Sequence, residues 1–403
     1  MRRKLVLALL ALFVVGLLIS QGNGIAVAAK TIVTVGHDGT STVTEYFSKV
    51  IKDAERLLPD IEIKSVPFPS YDDLVNQLPS QIAAGTVPDI VWWDAVIAPQ
   101  FIQAGVVTPL SAEVLENIDR NEYVPSVLNT FAYDGSLYGI PIQSNTTSLV
   151  INMDIFNELG IGVPTTVDEF KNAAIEISKS GKTGIVVQLN AFQISQYVSA
   201  FGGGWEFGKT INSEKNIEAI EFLVELFHTG AAESTLDLGY GWDGEAFGTG
   251  EVGMATGGPW YISFMQAVAP EMDYMLMPLP AVEGVAMFSY GSGFSVMENS
   301  KNKEAAMKVL RYLASDNAQE LLYTTEYNNI PAKEKFLDEY VEVMPKFASL
   351  KEGFLKGTDL EYPYNMRGFD SDLTMGVEQL IYNPGSLTAK QLLDTLQRDY
   401  GIN

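Results

Sequence analysis

The side chains able to do chemistry are few in kind. Cysteine is absent and histidine occurs twice, at His37 and His228. That excludes thiol nucleophiles and thiolate metal sites. His228 stands before Thr229-Gly230 at the end of a helical pattern, where a cation suits the helix dipole. No G-x-S-x-G elbow, H-E-x-x-H pair or phosphate-binding lysine loop occurs. Hydrolysis by two carboxylates stays open, because 50 acidic residues always offer pairs, yet no spacing singles one out. The inventory therefore points to a chain that binds rather than reacts, with no metal and no cofactor.

The five tryptophans carry more information. Trp92 and Trp93 close an apolar run before Asp94, and Trp205 follows Gly202-Gly203-Gly204. Trp242 lies between Gly241 and Asp243, and Trp260 follows Gly257-Gly258-Pro259. Each adjoins a turn or a strand end, which favours ring faces exposed in a cleft. The C–H face of a pyranose stacks on an indole, and its hydroxyls need carboxylates, amides and backbone groups. Tryptophans beside Asp and Asn suit a sugar.

The elements that must position these residues alternate from Thr31 onward. Thr31–Val35, Ile61–Val66 and Ile90–Trp93 read as strands, separated by helical patterns over 42–58 and 71–84. That order predicts a parallel sheet with helices on its faces and a ligand at the carboxyl ends of the strands. Thr166 and Glu169 fit a capping box, predicting a helix over 167–178. Ile185–Leu189 reads as a strand, and amphipathic helices are predicted over 216–227 and 303–313. No internal repeat or low-complexity linker occurs, and 403 residues exceed one typical core. Two lobes are expected, with the chain crossing between them more than once.

Arg2, Arg3 and Lys4 precede an apolar run from Leu5 to Ile19, and Ala26-Val27-Ala28 supplies a small-x-small cleavage pattern. About 15 apolar residues fall short of the roughly 20 a bilayer span needs. Residues 1–28 are expected to be a cleaved signal peptide, with retention as an anchor the alternative. A periplasmic or extracellular location follows, without the cysteine that lipid anchoring requires. The formal charge of −24 argues against nucleic-acid and anionic-membrane partners.

Several stretches taken in order resemble a known family. They are Ala83-Ala84-Gly85-Thr86-Val87-Pro88-Asp89, Asp134-Gly135-Ser136-Leu137-Tyr138-Gly139-Ile140-Pro141, Phe247-Gly248-Thr249-Gly250-Glu251-Val252-Gly253-Met254, Gly258-Pro259-Trp260 and Met277-Pro278-Leu279-Pro280. The family is the extracellular solute-binding proteins of carbohydrate ABC transporters, of the maltodextrin-binding type. Gly253 stands where the family usually has Ala, and the loop Gly36–Thr40 departs from its pattern.

The resemblance implies a two-lobed α/β periplasmic-binding-protein fold of type II, each lobe a sheet flanked by helices, with a ligand cleft at the hinge. The N-terminal lobe is expected to take 30–142 plus 294–339, and the C-terminal lobe 145–290 plus 341–403. Carried over position by position, the expected ligand contacts are Trp93, Asp94, Asn145, Asn190, Phe192, Trp260, Tyr290, Gly291 and Arg367. Trp205 and Trp242 join them from the tryptophan argument. The implied partners are a sugar ligand and the permease of an ABC importer, with the receptor a monomer. A protein of this fold for a non-sugar solute, or a secreted carbohydrate-active enzyme, are the competing readings.

Overall fold

The computed structural model describes residues 29–39, 41–325 and 327–402; the expected signal segment lies outside them. Among the described residues there are thirteen strands: β1 Thr31–Asp38, β2 Ile61–Phe68, β3 Ile90–Asp94, β4 Ala132–Tyr133, β5 Ser136–Leu137, β6 Ile140–Thr146, β7 Ser148–Asn152, β8 Thr183–Val187, β9 Ala232–Ser234, β10 Val252–Gly257, β11 Tyr274–Met277, β12 Ser289–Val296 and β13 Ile330–Pro331. They form a six-stranded sheet, β13-β6-β12-β3-β1-β2, a five-stranded sheet, β11-β7-β10-β8-β9, and the hairpin β4-β5. The expected β1–β2–β3 unit is parallel, with Val35 opposite Ile90 and Thr31 opposite Ile61.

The inner strands of both sheets are covered on two faces, whereas the edge strand β2 keeps exposed positions. All five residues of β7 and of β8 are buried. Alternation along β7 sends Leu149 and Ile151 into one core and Val150 into the other. The helix Val167–Lys179 begins as expected, with Thr166 Oγ1 accepting the Glu169 N–H at 3.1 Å. Glu169 reaches one residue further back than a capping box requires, to the amide and hydroxyl of Thr165.

The chain passes between the sheets at three adjacent places. β6 leaves the first sheet and, after Thr147, becomes β7 of the second. The return enters at Phe288, whose amide donates to Thr147 Oγ1 at 2.9 Å and whose carbonyl accepts from Thr146 Oγ1 at 2.7 Å. The third pass follows the helix Leu337–Val343, and Thr358 then bridges to Phe288. β12 shifts register against β6 between Ser292 and Gly293, opposite Pro141. A Cβ on Gly293 would lie 2.1 Å from the Ile140 carbonyl oxygen. Only glycine lets the backbones approach this closely.

Candidate binding site at the strand crossing

The site grows from the carboxyl end of β3. Asp94 Oδ1 accepts the Val96 N–H at 2.9 Å, turning the chain toward the helix Ala98–Gln103. Across the ladder Asp94 faces Ser292, and Ser292 Oγ accepts from Asn145 Nδ2 at 3.4 Å. Asn145 in turn is the register partner of Tyr290. Burial holds the Tyr290 hydroxyl far above its ordinary pKa, and the nearby Asp94 carboxylate and Tyr362 add to that. Tyr290 therefore stays a neutral hydroxyl able both to donate and to accept.

The second lobe adds aromatic rings. Phe192 lies 6.1 Å from Tyr290, edge to face, and 6.0 Å from Trp260. Phe192 is carried by the helix Ala191–Ala200, whose first amides are fixed from both sides. Asn190 Oδ1 accepts the Gln193 N–H at 2.8 Å, and Asp370 Oδ1 accepts the Ala191 N–H at 2.7 Å. Trp260 opens the helix Trp260–Val268 directly after β10. Its ring packs over Gly258, where a Cβ would come within 2.1 Å of it. Phe192, Trp260 and Asn145 keep part of their surface exposed. Half-open rings beside an amide, hydroxyls and a carboxylate can bind a molecule with apolar faces and hydroxyl edges.

The expected residues divide. Asp94, Asn145, Phe192, Trp260 and Tyr290 come together, with Asn190 holding the helix that carries Phe192. Trp93 and Trp205 correct the expectation of exposed rings. Trp93 is 0 % exposed, donates from Nε1 to Ser295 Oγ at 2.9 Å and stacks on Phe101 at 5.4 Å. Residues alternate across a strand, so Asp94 at the cleft turns Trp93 into the core. Trp205 is 1 % exposed, donates to Ser195 Oγ at 2.7 Å and meets Phe369 edge to face. Trp242 is half-buried and packs edge-on against Tyr261 and Phe264. The Gly291 amide is already donated to Thr130 Oγ1 at 2.9 Å. Arg367 is exposed and bonded to Asn76.

Sequence reasoning missed Ser292, Tyr362 and Asp370. Tyr362 is buried, and its hydroxyl is pushed up first by burial and then by the Asp370 and Asp94 charges. Tyr362 sits in an irregular stretch and Asp370 in the first turns of the helix Met366–Tyr382, where no periodicity marks them. Of the histidines, His37 is buried, with Nε2 2.7 Å from Ser65 Oγ and its ring on Phe47. His228 Nε2 is 3.1 Å from the Ile381 carbonyl oxygen. His37 is thus a packing residue, whereas His228 is exposed at the helix end. No group of three His, Asp or Glu side chains fit to hold a metal occurs among the described residues. A cavity of about 510 Å³ beside the crossing lies between Thr130, Tyr133 and Asp134 on one side and Phe207, Asp359, Glu361 and Tyr364 on the other.

A family model described as bacterial extracellular solute-binding protein matches residues 40–320. The maltodextrin-binding protein of Bacillus subtilis is 24 % identical over 332 residues, covering 78 % of this chain and 76 % of its own length. The multiple sugar-binding protein of Streptococcus mutans is 22 % identical over 308 residues, covering 71 % of each chain. Among solved structures, the ABC substrate-binding protein of Listeria monocytogenes in complex with cycloalternan superposes with a TM-score of 0.79. It is 21 % identical, over 92 % of this chain and 98 % of that one. The two-lobed α/β fold is therefore shared.

Proposed function

Because this chain belongs to the bacterial extracellular solute-binding protein family, we propose that it captures an oligosaccharide outside the cytoplasmic membrane and delivers it to an ABC importer. The observation that carries this reading is the Phe192–Trp260–Tyr290 ring cluster beside Asp94, Asn145 and Ser292 at the strand crossing. Rings on one lobe supply stacking faces, and polar groups on the crossing strands supply hydroxyl partners. Micromolar affinity corresponds to about 8 kcal/mol, within reach of two stacked rings and several hydrogen bonds. The ligand contacts in this reading are Asp94, Asn145, Phe192, Trp260 and Tyr290. Residues 1–28 act as a cleaved signal peptide, and the mature receptor works as a periplasmic or extracellular monomer without catalysing a reaction. The lobes are 30–142 plus 294–339 and 145–290 plus 341–403, and they close on the ligand about the crossing strands.

A thermal-shift screen of the mature chain against mono- to pentasaccharides tests the reading. A bound sugar at 100 times its dissociation constant adds about 2.7 kcal/mol of stability. No shift with any sugar would remove it. Spermidine belongs in the same screen, because Asp134, Asp359 and Glu361 line the neighbouring cavity and favour a cationic solute as the second reading. Reducing-end release from the same oligosaccharides would instead reveal a hydrolase.

A further inference from the structure

Behind the aromatic wall lies a buried polar hub that the binding chemistry does not use. Asp243, the first residue of the helix Asp243–Phe247, is 1 % exposed. Its Oδ2 accepts from Gln193 Nε2 at 3.1 Å, and its Oδ1 accepts the Gly244 N–H at 3.1 Å. Gln193 Oε1 accepts from Thr256 Oγ1 of β10 and from Gln196 Nε2, both at 2.7 Å. The side chain of Gln193 thus ties three elements together. Its own neighbour is Phe192; Asp243 follows Trp242; and Thr256 stands on the strand that leads into Gly257, Gly258 and Trp260. The Tyr261 hydroxyl, next in sequence to Trp260, also bears on Asp243.

Such a hub is costly. An apolar core of the same shape would avoid desolvating a carboxyl group, so the network contributes geometry more than stability. The geometry it fixes is the spacing between the helix bearing Phe192 and the turn bearing Trp260. Gly244 shows how tight the packing is, since a Cβ there would lie 2.0 Å from the Trp242 ring.

We infer that Asp243 is a positioning residue for the ligand-facing wall, holding Trp242, Phe192 and Trp260 in register through Gln193. The role rests on the proposed reading of Phe192 and Trp260 as ligand contacts. Burial pushes the Asp243 carboxyl up to about 7, with the Tyr261 hydroxyl and the Gly244 amide pulling the other way. The titratable groups facing it are Tyr197 and Tyr261. Both tyrosines are held neutral by burial, so Asp243 is the group of this hub that changes charge near neutral pH.

The test uses the mature chain labelled with 5-fluorotryptophan, each resonance assigned by a Trp→Phe variant. In Asp243→Leu the Trp242 and Trp260 resonances should move, while those of Trp93 and Trp205 stay in place. In Asp243→Asn, the isostere of the neutral acid, they should keep the wild-type positions found at pH 5.5. In the wild type the two resonances should shift with pH about a midpoint near 7, and Asp243→Asn should abolish that shift. Trp242 and Trp260 resonances that stay at their wild-type positions in Asp243→Leu would overturn the inference, and if that variant fails to fold, the same outcome in Gln193→Leu, which cuts the same link, would overturn it. Calorimetry with maltotriose supplies the functional arm. Asp243→Leu should bind about tenfold more weakly, and Asp243→Asn within about threefold of wild type at pH 5.5. Unchanged affinity in Asp243→Leu would also count against the role. If the wild type binds no sugar in the thermal-shift screen, the reading of this site as a sugar receptor fails, while the fluorine spectra still decide the role of Asp243.

Discussion

Arg367 donates from Nη2 to Asn76 Oδ1 at 2.9 Å, joining the helix Met366–Tyr382 of the second lobe to the helix Tyr71–Ala84 of the first. A second pair bridges the lobes nearby: Tyr133 of the β4–β5 hairpin meets Tyr364 edge to face at 6.4 Å. Arg367 was expected at the ligand, but here it contacts the opposite lobe.

If Arg367 helps to hold the lobes together, Arg367→Ala should shorten the ligand's residence time. An exposed hydrogen bond to a neutral amide contributes about 0.5–1 kcal/mol, so dissociation should speed up no more than about fivefold. Asn76→Ala should do the same, and the double variant should add nothing. Stopped-flow dissociation of a bound sugar measures this. Independent, additive effects of the two substitutions would return Arg367 to direct ligand contact.

The tryptophans offer a sharper contrast. Trp260→Ala should weaken sugar binding by about 2 kcal/mol, the scale of an interface hot spot, and leave the melting temperature nearly unchanged. Trp205→Ala removes a buried ring from the second core, at a cost of about 3–5 kcal/mol of stability. Its melting transition should collapse or shift strongly downward. Calorimetry of both variants separates the two roles, and the reverse pattern would exchange them.

Most of the framework was legible because apolar periodicity and capping are local signals. The parallel β1–β2–β3 unit needed only β-branched runs and helical spacing, and Asp94 followed from the rule that ligands meet the ends of such strands. Which face a side chain takes was not local. Trp93 and Asp94 are neighbours, and the pleat sends one to the core and the other to the cleft. Trp205 follows three glycines as a loop residue would, yet it packs on Phe369, which lies 164 positions along the chain. Asp370 reaches Ala191 across 179 positions, a distance at which sequence spacing carries no information.

The buried Asp243 and the half-buried Asp359 make the pH dependence of stability unusual. Asp243 and Asp359 are both pushed up to about 7 by burial, whereas an unfolded aspartate titrates near 3.9. Between these values the folded chain holds protons that the unfolded chain has released, so stability falls as pH rises through that window. The melting temperature should be higher at pH 5 than at pH 7.5. Asp243→Asn should lose part of that difference by gaining stability at pH 7.5. Differential scanning calorimetry across pH 4.5–8 checks the sign, and a melting temperature that climbs steadily toward pH 8 would contradict it.

The crossing strands make the last prediction. Thr146, Thr147 and Phe288 tie the two interlobe passages by hydrogen bonds at 2.7–3.2 Å, and the register shift at Ser292–Gly293 lies just inside the first sheet. The inner strands of each sheet are packed on both faces, so bending concentrates where the ladders end and leaves the cores intact. Adding a sugar identified by thermal shift should change the radius of gyration with no change in the far-ultraviolet circular dichroism. Gly293→Ala tests the bulge itself, because the new methyl group would press on the Ile140 carbonyl oxygen at 2.1 Å. That variant should lose stability by about 1–3 kcal/mol, as overpacked sites do, and its scattering change on adding sugar should shrink. An identical radius of gyration with and without sugar in the wild type, at saturation confirmed by calorimetry, would replace the closing cleft with a preformed pocket.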